Sequence, residues 1–381
     1  MNSILRRYIK LIVSLWFGLL LISCQKNSRE SSNELALPIS LMEKFQQAKN
    51  FEDLFEKSKE IQLATGTKSY VGSIDQIIKS DERFIVVDTR VTKSVLLFSE
   101  TGKFIRQVGI NGEGPGEYLI PEYACVDNEG RIVILDSQKF KLIFYDRNGE
   151  YQKQMRLDVL GIFPQRFFID SHGLLYFYTI NPSFSDASKG KKIVVIDQNG
   201  RIKYRYSELE ETLQKIFYLG GSVKLAPNGQ IWIGNIFDLT IRIHDPNGQV
   251  QRTIIEHISH LPNAVSPEIF ASVDNSRTML KLISQHTMIH DIFFIQDNIA
   301  MVTFVGNETY YLSFFDLKGN LLKGKIEIDT ENSKYLKSAI LGSYGNCIFA
   351  VEEPIDIDIP LISNALQNVL NPKIVVFKFK L

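Results

Sequence analysis

One phrase recurs about six times along this chain, and it constrains the fold more than any other feature. Its fullest copy spans residues 109–149, GINGEGPGEYLIPEYACVDNEGRIVILDSQKFKLIFYDRNG. A turn rich in Asp, Asn or Gly leads a short apolar strand, a polar break, a second apolar strand and another Asn-Gly-type turn. Repetition at this length specifies an array of small sheets rather than one continuous sheet. The copies align on the turn before their second strand. RFIVVD follows Asp81-Glu82, RIVILD follows Asn128-Glu129-Gly130, and LLYFYTI follows Asp170-Ser171-His172-Gly173. QIWIGN follows Pro227-Asn228-Gly229, IAMVTF follows Asp297-Asn298, and CIFAV follows Tyr344-Gly345-Asn346. Glycine-bearing turns of this kind connect adjacent antiparallel strands.

Closure follows from counting strands. Five units hold four strands each, but the sixth stops after its third, at Leu381. A ring of blades hides its edges if an N-terminal strand completes the last blade. Residues 61–67 (IQLATGT) are placed to do so. The predicted fold is all-β: a six-bladed β-propeller over residues 61–381, closed by that strand. A β-sandwich array is the rival, and it would not pair the two ends of the chain. Ahead of the propeller, residues 39–60 carry apolar side chains at helical spacing, namely Leu41, Phe45, Ala48, Leu54 and Phe55, and read as a short helical linker.

The first residues give an address. Arg6, Arg7 and Lys10 precede an almost unbroken apolar run from Leu11 to Ser23, too short for a comfortable bilayer span and laid out as a secretory signal. The run ends in Leu21-Ile22-Ser23-Cys24, which resembles the bacterial lipoprotein signal, with Cys24 as the lipidated first residue of the mature chain. An uncleaved anchor, or a chance cysteine beside an ordinary cleavage site, are the alternatives. Residues 1–23 are then a signal peptide, and residues 24–60 comprise the anchor, a polar tether (QKNSRESSN) and the linker. A multiply acylated Cys24 would hold the protein on a membrane. Gln25 resembles a default outer-membrane sorting signal.

Formal net charge is zero, and losing the leader removes three positive charges and no negative one. That balance argues against a nucleic-acid partner, which needs a basic stripe. Cys125 and Cys347 sit in strand-like runs as small buried hydrophobes, and two cysteines make no disulfide framework.

The segment from Gly109 to Gly149 resembles an NHL-type propeller repeat. Its Gly112-Glu113-Gly114-Pro115-Gly116-Glu117-Tyr118 loop, together with the leader, is similar to the six-bladed propeller lipoproteins of Bacteroides-type bacteria. The resemblance implies a six-bladed fold and a cell-envelope lipoprotein, and Gln25 after the cysteine directs the expectation to the outer membrane. Enzymes resembling this repeat class, such as lactonases and peptide-amidating lyases, hold Ca²⁺ or Zn²⁺ at the central channel. The corresponding ends of the second strands here are Asp88, Asp136, Thr179, Asn235, Phe304 and Val351. Asp88 and Asp136 also suit turn capping, so a cation site built on Asp136 and Asn235 stays an alternative.

No phosphate-binding loop, nucleophile elbow or zinc motif is present. His286 and His290 have i, i+4 spacing, but His290-Asp291 leads into a strand-like IFFIQD, and loop histidines are the plainer reading. The longest connections, Thr179 to Lys192, Ser207 to Gly221, Glu256 to Asp291 and Glu352 to Lys373, fall between blades or between second and third strands. In a propeller those connections share one face, where binding concentrates. Arg90, Tyr118, Tyr123, Lys139, Phe140, Arg166, Phe184, Asn235 and Asp238 are the candidate ligand-binding residues there. The expected role is a monomeric, non-catalytic binding module for a glycan, a peptide or a partner envelope protein, with no cofactor. Ca²⁺ or Zn²⁺ enters only under the alternative, a metal-dependent hydrolase or lyase.

Overall fold

In the computed structural model, residues 37–179, 188–208, 221–235, 239–255, 287–306, 309–328, 340–352 and 370–380 are described. Six four-stranded antiparallel sheets follow one another in chain order. Blade one comprises Gln76–Ser80, Arg83–Asp88, Ser94–Ser99 and Phe104–Gln107. Blade two comprises Pro121–Val126, Ile132–Asp136, Lys141–Tyr145 and Tyr151–Arg156. Blade three comprises Pro164–Ile169, Leu175–Thr179, Lys191–Ile196 and Ile202–Glu208. Blade four comprises Gly221–Leu225, Ile231–Asn235, Thr240–His244 and Val250–Ile255. Blade five comprises Met288–Ile295, Ile299–Gly306, Thr309–Asp316 and Leu321–Ile328. Blade six has Gly342–Tyr344, Cys347–Glu352 and Lys373–Phe379 from the C-terminal end of the chain.

The first strand of each blade packs against the first strand of the next, and that of blade six against that of blade one. The result is a closed six-bladed β-propeller around a central channel. The second and third strands read as unbroken apolar runs because both faces of each blade are covered. In blade one, Phe84 and Val86 pack towards Phe349 and Val351 of blade six, while Ile85 and Val87 pack towards Ile132 and Ile134 of blade two. Period-two alternation thus feeds two cores instead of dividing core from solvent.

The hairpin turns repeat one geometry. The Asp146 carboxylate accepts from the amides of Asn148 and Glu150 at 2.8 and 2.9 Å, and Gly149 takes a left-handed φ of +83°. The strand register then slips by one residue between Phe144 and Tyr145, the bulge such a turn imposes. Asp197, Asp245 and Asp316 repeat the arrangement, which is why the Asn-Gly signals mark the units so regularly.

The closing strand lies earlier than 61–67. Helix α1 (Ile39–Gln47) and the single turn α2 (Phe51–Leu54) lead straight into β1 (Phe55–Gln62), which pairs antiparallel with Lys373–Phe379. Only Ile61 and Gln62 are shared with the expected segment, and Phe55 to Glu60 are strand rather than helical linker. FEKSKE has good helix formers, but pairing with the C-terminal strand overrides that preference. Its run of exposed Glu, Lys and Ser also suits an outer edge, where charge discourages pairing with another chain. A cluster of Phe45, Phe51, Phe55, Phe314, Phe377 and Phe379 fastens the helices and β1 onto blades five and six. Cys125 and Cys347 are free and belong to different blades. Among the described residues no helix is long and apolar enough to cross a membrane. Cys24 lies outside the described residues.

Candidate functional site

The first strands of the blades bring polar side chains to the channel axis. A cavity of about 230 Å³ lies there, lined by Asp75 and Gln76 of blade one, Arg166 of blade three, Lys224 of blade four, His290 and Asp291 of blade five and Ser343 of blade six, with Ile77, Phe293 and Ile340 among its apolar neighbours. Blade two contributes Tyr123 and Glu122 beside this set.

Lys224 is the centre of the arrangement. Its ammonium lies 3.0 Å from Asp291 Oδ2 and donates to the Tyr123 hydroxyl at 3.1 Å, with the Phe293 ring 5.4 Å away. The Arg166 guanidinium stands 5.0 Å from the centre of the same Tyr123 ring. Asp291 also accepts from Ser222 Oγ at 2.5 Å and from the Ile292 amide at 2.9 Å. Burial alone would raise the Asp291 pKa, but Lys224, Arg166 and the Ser222 hydroxyl outweigh it and hold the carboxyl down to about 2. Burial works to lower the Lys224 pKa, and Asp291 and Tyr123 reverse that effect, so the ammonium is held above its ordinary value. The pair is therefore ionised across the neutral range, and removing either partner would leave a buried charge.

The neighbouring groups behave differently. Burial pushes the Glu122 carboxyl up, against the opposing pull of the Ser137 hydroxyl and Arg166. Burial also lowers the His290 pKa and keeps the ring neutral; its Nδ1 is 3.3 Å from Thr303 Oγ1. Asp75 is bound by Arg90 at 2.6 Å and by the Thr89 amide and hydroxyl at 2.9 and 2.8 Å. Gln76 spends its amide on the backbone of Ala124, donating and accepting at 3.0 Å, and so ties blade one to blade two.

Of the residues proposed from sequence, Tyr123 and Arg166 meet at the cavity, and Arg90 reaches it through Asp75. The others lie elsewhere. Tyr118 does not face the loops: it is fully buried, and its hydroxyl donates to the Val108 carbonyl at 2.9 Å and accepts from the Val95 amide at 3.0 Å. Burial pushes its pKa to about 12, so it stays a neutral tie between blades one and two. Lys139 pairs with Glu113 of the glycine-rich loop at 3.1 Å. Phe140 packs edge-on against Phe163, with ring centres 4.9 Å apart, and joins the core between blades two and three. Phe184, Asp238 and the Asn235 side chain lie outside the described residues.

The ends of the second strands organise loops. Asp136 accepts from the amides of Leu119, Ile120, Gln138 and Lys139 at 3.0 to 3.3 Å. Asp88 accepts from the amides of Gly72, Ser73, Arg90, Val91 and Thr92 and from the Thr92 hydroxyl. Each carboxylate fastens the connection entering a blade to the turn after its second strand. His290 lies on a strand, and His286 is outside the described residues.

Sequence reasoning missed Lys224, Asp291, Ser222, Glu122 and Asp75. No local pattern marks them as a group, since Lys224 lies between Val223 and Leu225 while Asp291 follows His290 and Asp75 precedes Gln76. The register that makes these strands converge is a property of the ring.

The fold and site define a class first: a six-bladed β-propeller with a charged axial cavity. Within that class, the chain belongs to the family described as Domain of unknown function (DUF4934), which matches residues 38–320. Among solved structures it is similar to a protein of Bacteroides fragilis described as exported, at 16% identity, covering 87% of this chain and 97% of that one with a TM-score of 0.65. A member of the DUF4221 family from Bacteroides vulgatus superposes with a TM-score of 0.58 at 11% identity, covering 86% and 97% of the two chains. Both likenesses establish the shared propeller. No curated protein sequence matches the chain.

Proposed function

We propose that this chain is a lipid-anchored cell-envelope protein that binds rather than catalyses, with the loop-rich propeller face receiving a glycan, a peptide or a partner envelope protein. The observation that carries this reading is the axial cavity, walled by Asp75, Arg166, Lys224, His290 and Asp291 from four blades of a rigid scaffold. The leader and Cys24 support export and anchoring, most naturally at the outer membrane, and the exported Bacteroides fragilis relative agrees with that address. A monomer suits a ring whose last blade is closed by its own N-terminal strand. The metal-dependent alternative is weakened, because the Asp136 carboxylate it requires already serves four backbone amides. Arrays of glycans and of peptides probed with the full-length protein test the reading. Retention by one chemical class, with the ligand recovered unchanged, is the expected result. Conversion of a retained ligand into a product would contradict it, as would retention by neither array nor by envelope proteins.

A further inference from the structure

Exposed apolar side chains recur at one end of the blades. In blades one to five the third and fourth strands are joined by a turn whose glycine has a positive φ, at Gly102, Gly149, Gly200, Gly248 and Gly319. The second residue after that glycine is apolar every time: Phe104, Tyr151, Ile202, Val250 and Leu321. Phe104 and Ile202 are partly buried against the cores between blades. Val250 and Leu321, each 54% exposed, and the exposed Tyr151 instead open the outermost strands of their sheets. Single exposed apolar residues need no explanation. Their recurrence at one position does, because an outermost strand facing water is normally guarded by charge, as β1 is. Contacts between turns of adjacent blades put these ends on one side of the ring. Arg147 of blade two pairs with Asp81 of blade one at 3.1 Å, and the Gln296 amide of blade five donates to the Gly345 carbonyl of blade six at 2.9 Å, beside the exposed Tyr344.

In blade six the N-terminal entry takes the place of that turn. Phe55 opens β1 opposite Phe379, as Tyr151 opens its strand opposite Tyr145, so α1 and α2 approach at the same end. Helix α1 buries Leu41 and Phe45 and packs against Leu321–Ile328 of blade five. It leaves Ile39, 76% exposed, and the exposed Met42 one turn apart on its other side. Cys24 stands about fifteen residues before Ile39, a stretch that can reach at most about 50 Å. The chain that carries the lipid thus joins the ring at its hairpin end, and a bilayer holding an acylated Cys24 is within reach of that end. We propose that the hairpin end is a membrane-docking surface: Ile39, Met42 and Leu321 enter the headgroup boundary, and the loop-rich face points away from the bilayer. Tyr151 and Tyr344 suit the same boundary, each with an apolar ring and a polar tip. This rests on the anchoring half of the reading above, and it adds the direction in which the ligand-receiving face is presented.

Quenching by brominated lipid tests the orientation. Protein expressed from the full-length chain, carrying Met42→Trp or Leu321→Trp, is reconstituted into vesicles of phosphatidylethanolamine and phosphatidylglycerol with and without brominated acyl chains. Val91→Trp, at an exposed position in the turn between the second and third strands of blade one, is the loop-face control. The fully buried Trp232 gives the same background in every variant. The expected result is a loss of emission in brominated vesicles for Met42→Trp and for Leu321→Trp, and none for Val91→Trp. Adding Ile39→Asp to Leu321→Trp should reduce its quenching while the protein stays on the vesicles. Quenching of Val91→Trp with Met42→Trp and Leu321→Trp unaffected, or the same emission from all three in both kinds of vesicle, would overturn the inference. Flotation of the wild-type protein with the vesicles, together with mass spectrometry of its N-terminal peptide, separates this from failure of the reading beneath it. A chain that carries no acyl group and does not float would overturn anchoring and docking surface together. A chain that is acylated and floats, with neither Met42→Trp nor Leu321→Trp quenched, would overturn this inference alone.

Discussion

Replacing Asp136 by alanine removes the acceptor of four backbone amides at once, in a fully buried position. The unsatisfied amides should cost about 2–4 kcal/mol, read as a lower denaturation midpoint at unchanged slope. A loss below about 0.5 kcal/mol would mean that water replaces the carboxylate without penalty. Glu122 offers the opposite sign. Its folded pKa is raised, so below the unfolded value of about 4.5 it is protonated in both states and contributes nothing. As pH rises past that value, the unfolded state ionises first, and the fold loses stability until the native carboxyl ionises too. Glu122→Gln removes that loss while keeping a partner for Ser137. The variant should be more stable than wild type at pH 7–8, with the gain vanishing by pH 4, in melts across that range. A gain independent of pH would place the effect elsewhere. Asp291 runs the other way: its stabilisation is present above about 3.8 and is lost as pH falls towards 2.

At the scale of elements, β1 decides whether the ring is closed. Phe55 opens that strand fully buried against Phe51, Phe314 and Phe379, so Phe55→Ala should cost about 3–5 kcal/mol in thermal or denaturant unfolding. A cost under about 1 kcal/mol would show that the aromatic cluster does not fasten the strand. This element also marks where reading the sequence succeeded and where it stopped. The six units were legible because their hairpins turn on Asp, Asn or Gly, as at Asp146 and Gly149, and local turn chemistry is written locally. That an N-terminal strand closes the ring was legible from the missing fourth strand of blade six. Its position at Phe55–Gln62 was not, since FEKSKE gains strand geometry only from its distant partner, Lys373–Phe379. Tyr123 and Arg166 could be named as candidates from residue type. Lys224 and Asp291 could not, because VKLAP and HDIFF read as ordinary strand until two blades set them face to face. Tyr118 was misplaced for a related reason: an aromatic in a glycine-rich loop looks exposed until its inter-blade contacts are known.

At the scale of the molecule, closure and site depend on each other. Inner strands that touch only their neighbours become walls of one cavity once the ring is complete, and the seam is tight: a Cβ on Gly342 would lie 2.1 Å from the Ile77 carbonyl oxygen. The ionised side chains at the axis answer one another across blades, as Lys224 does Asp291 and Tyr123, while the aspartates at the strand ends are committed to loops. That division of labour is the basis for reading the protein as a binder without a catalytic metal. Elemental analysis of full-length protein purified without chelator, paired with thermal melts before and after EDTA, tests this most directly. The expected result is no stoichiometric Ca²⁺ or Zn²⁺ and an unchanged melting temperature. One equivalent of either metal, with a melting temperature that falls when EDTA removes it, would contradict the reading, because a ligand bound only by the native state stabilises it by mass action.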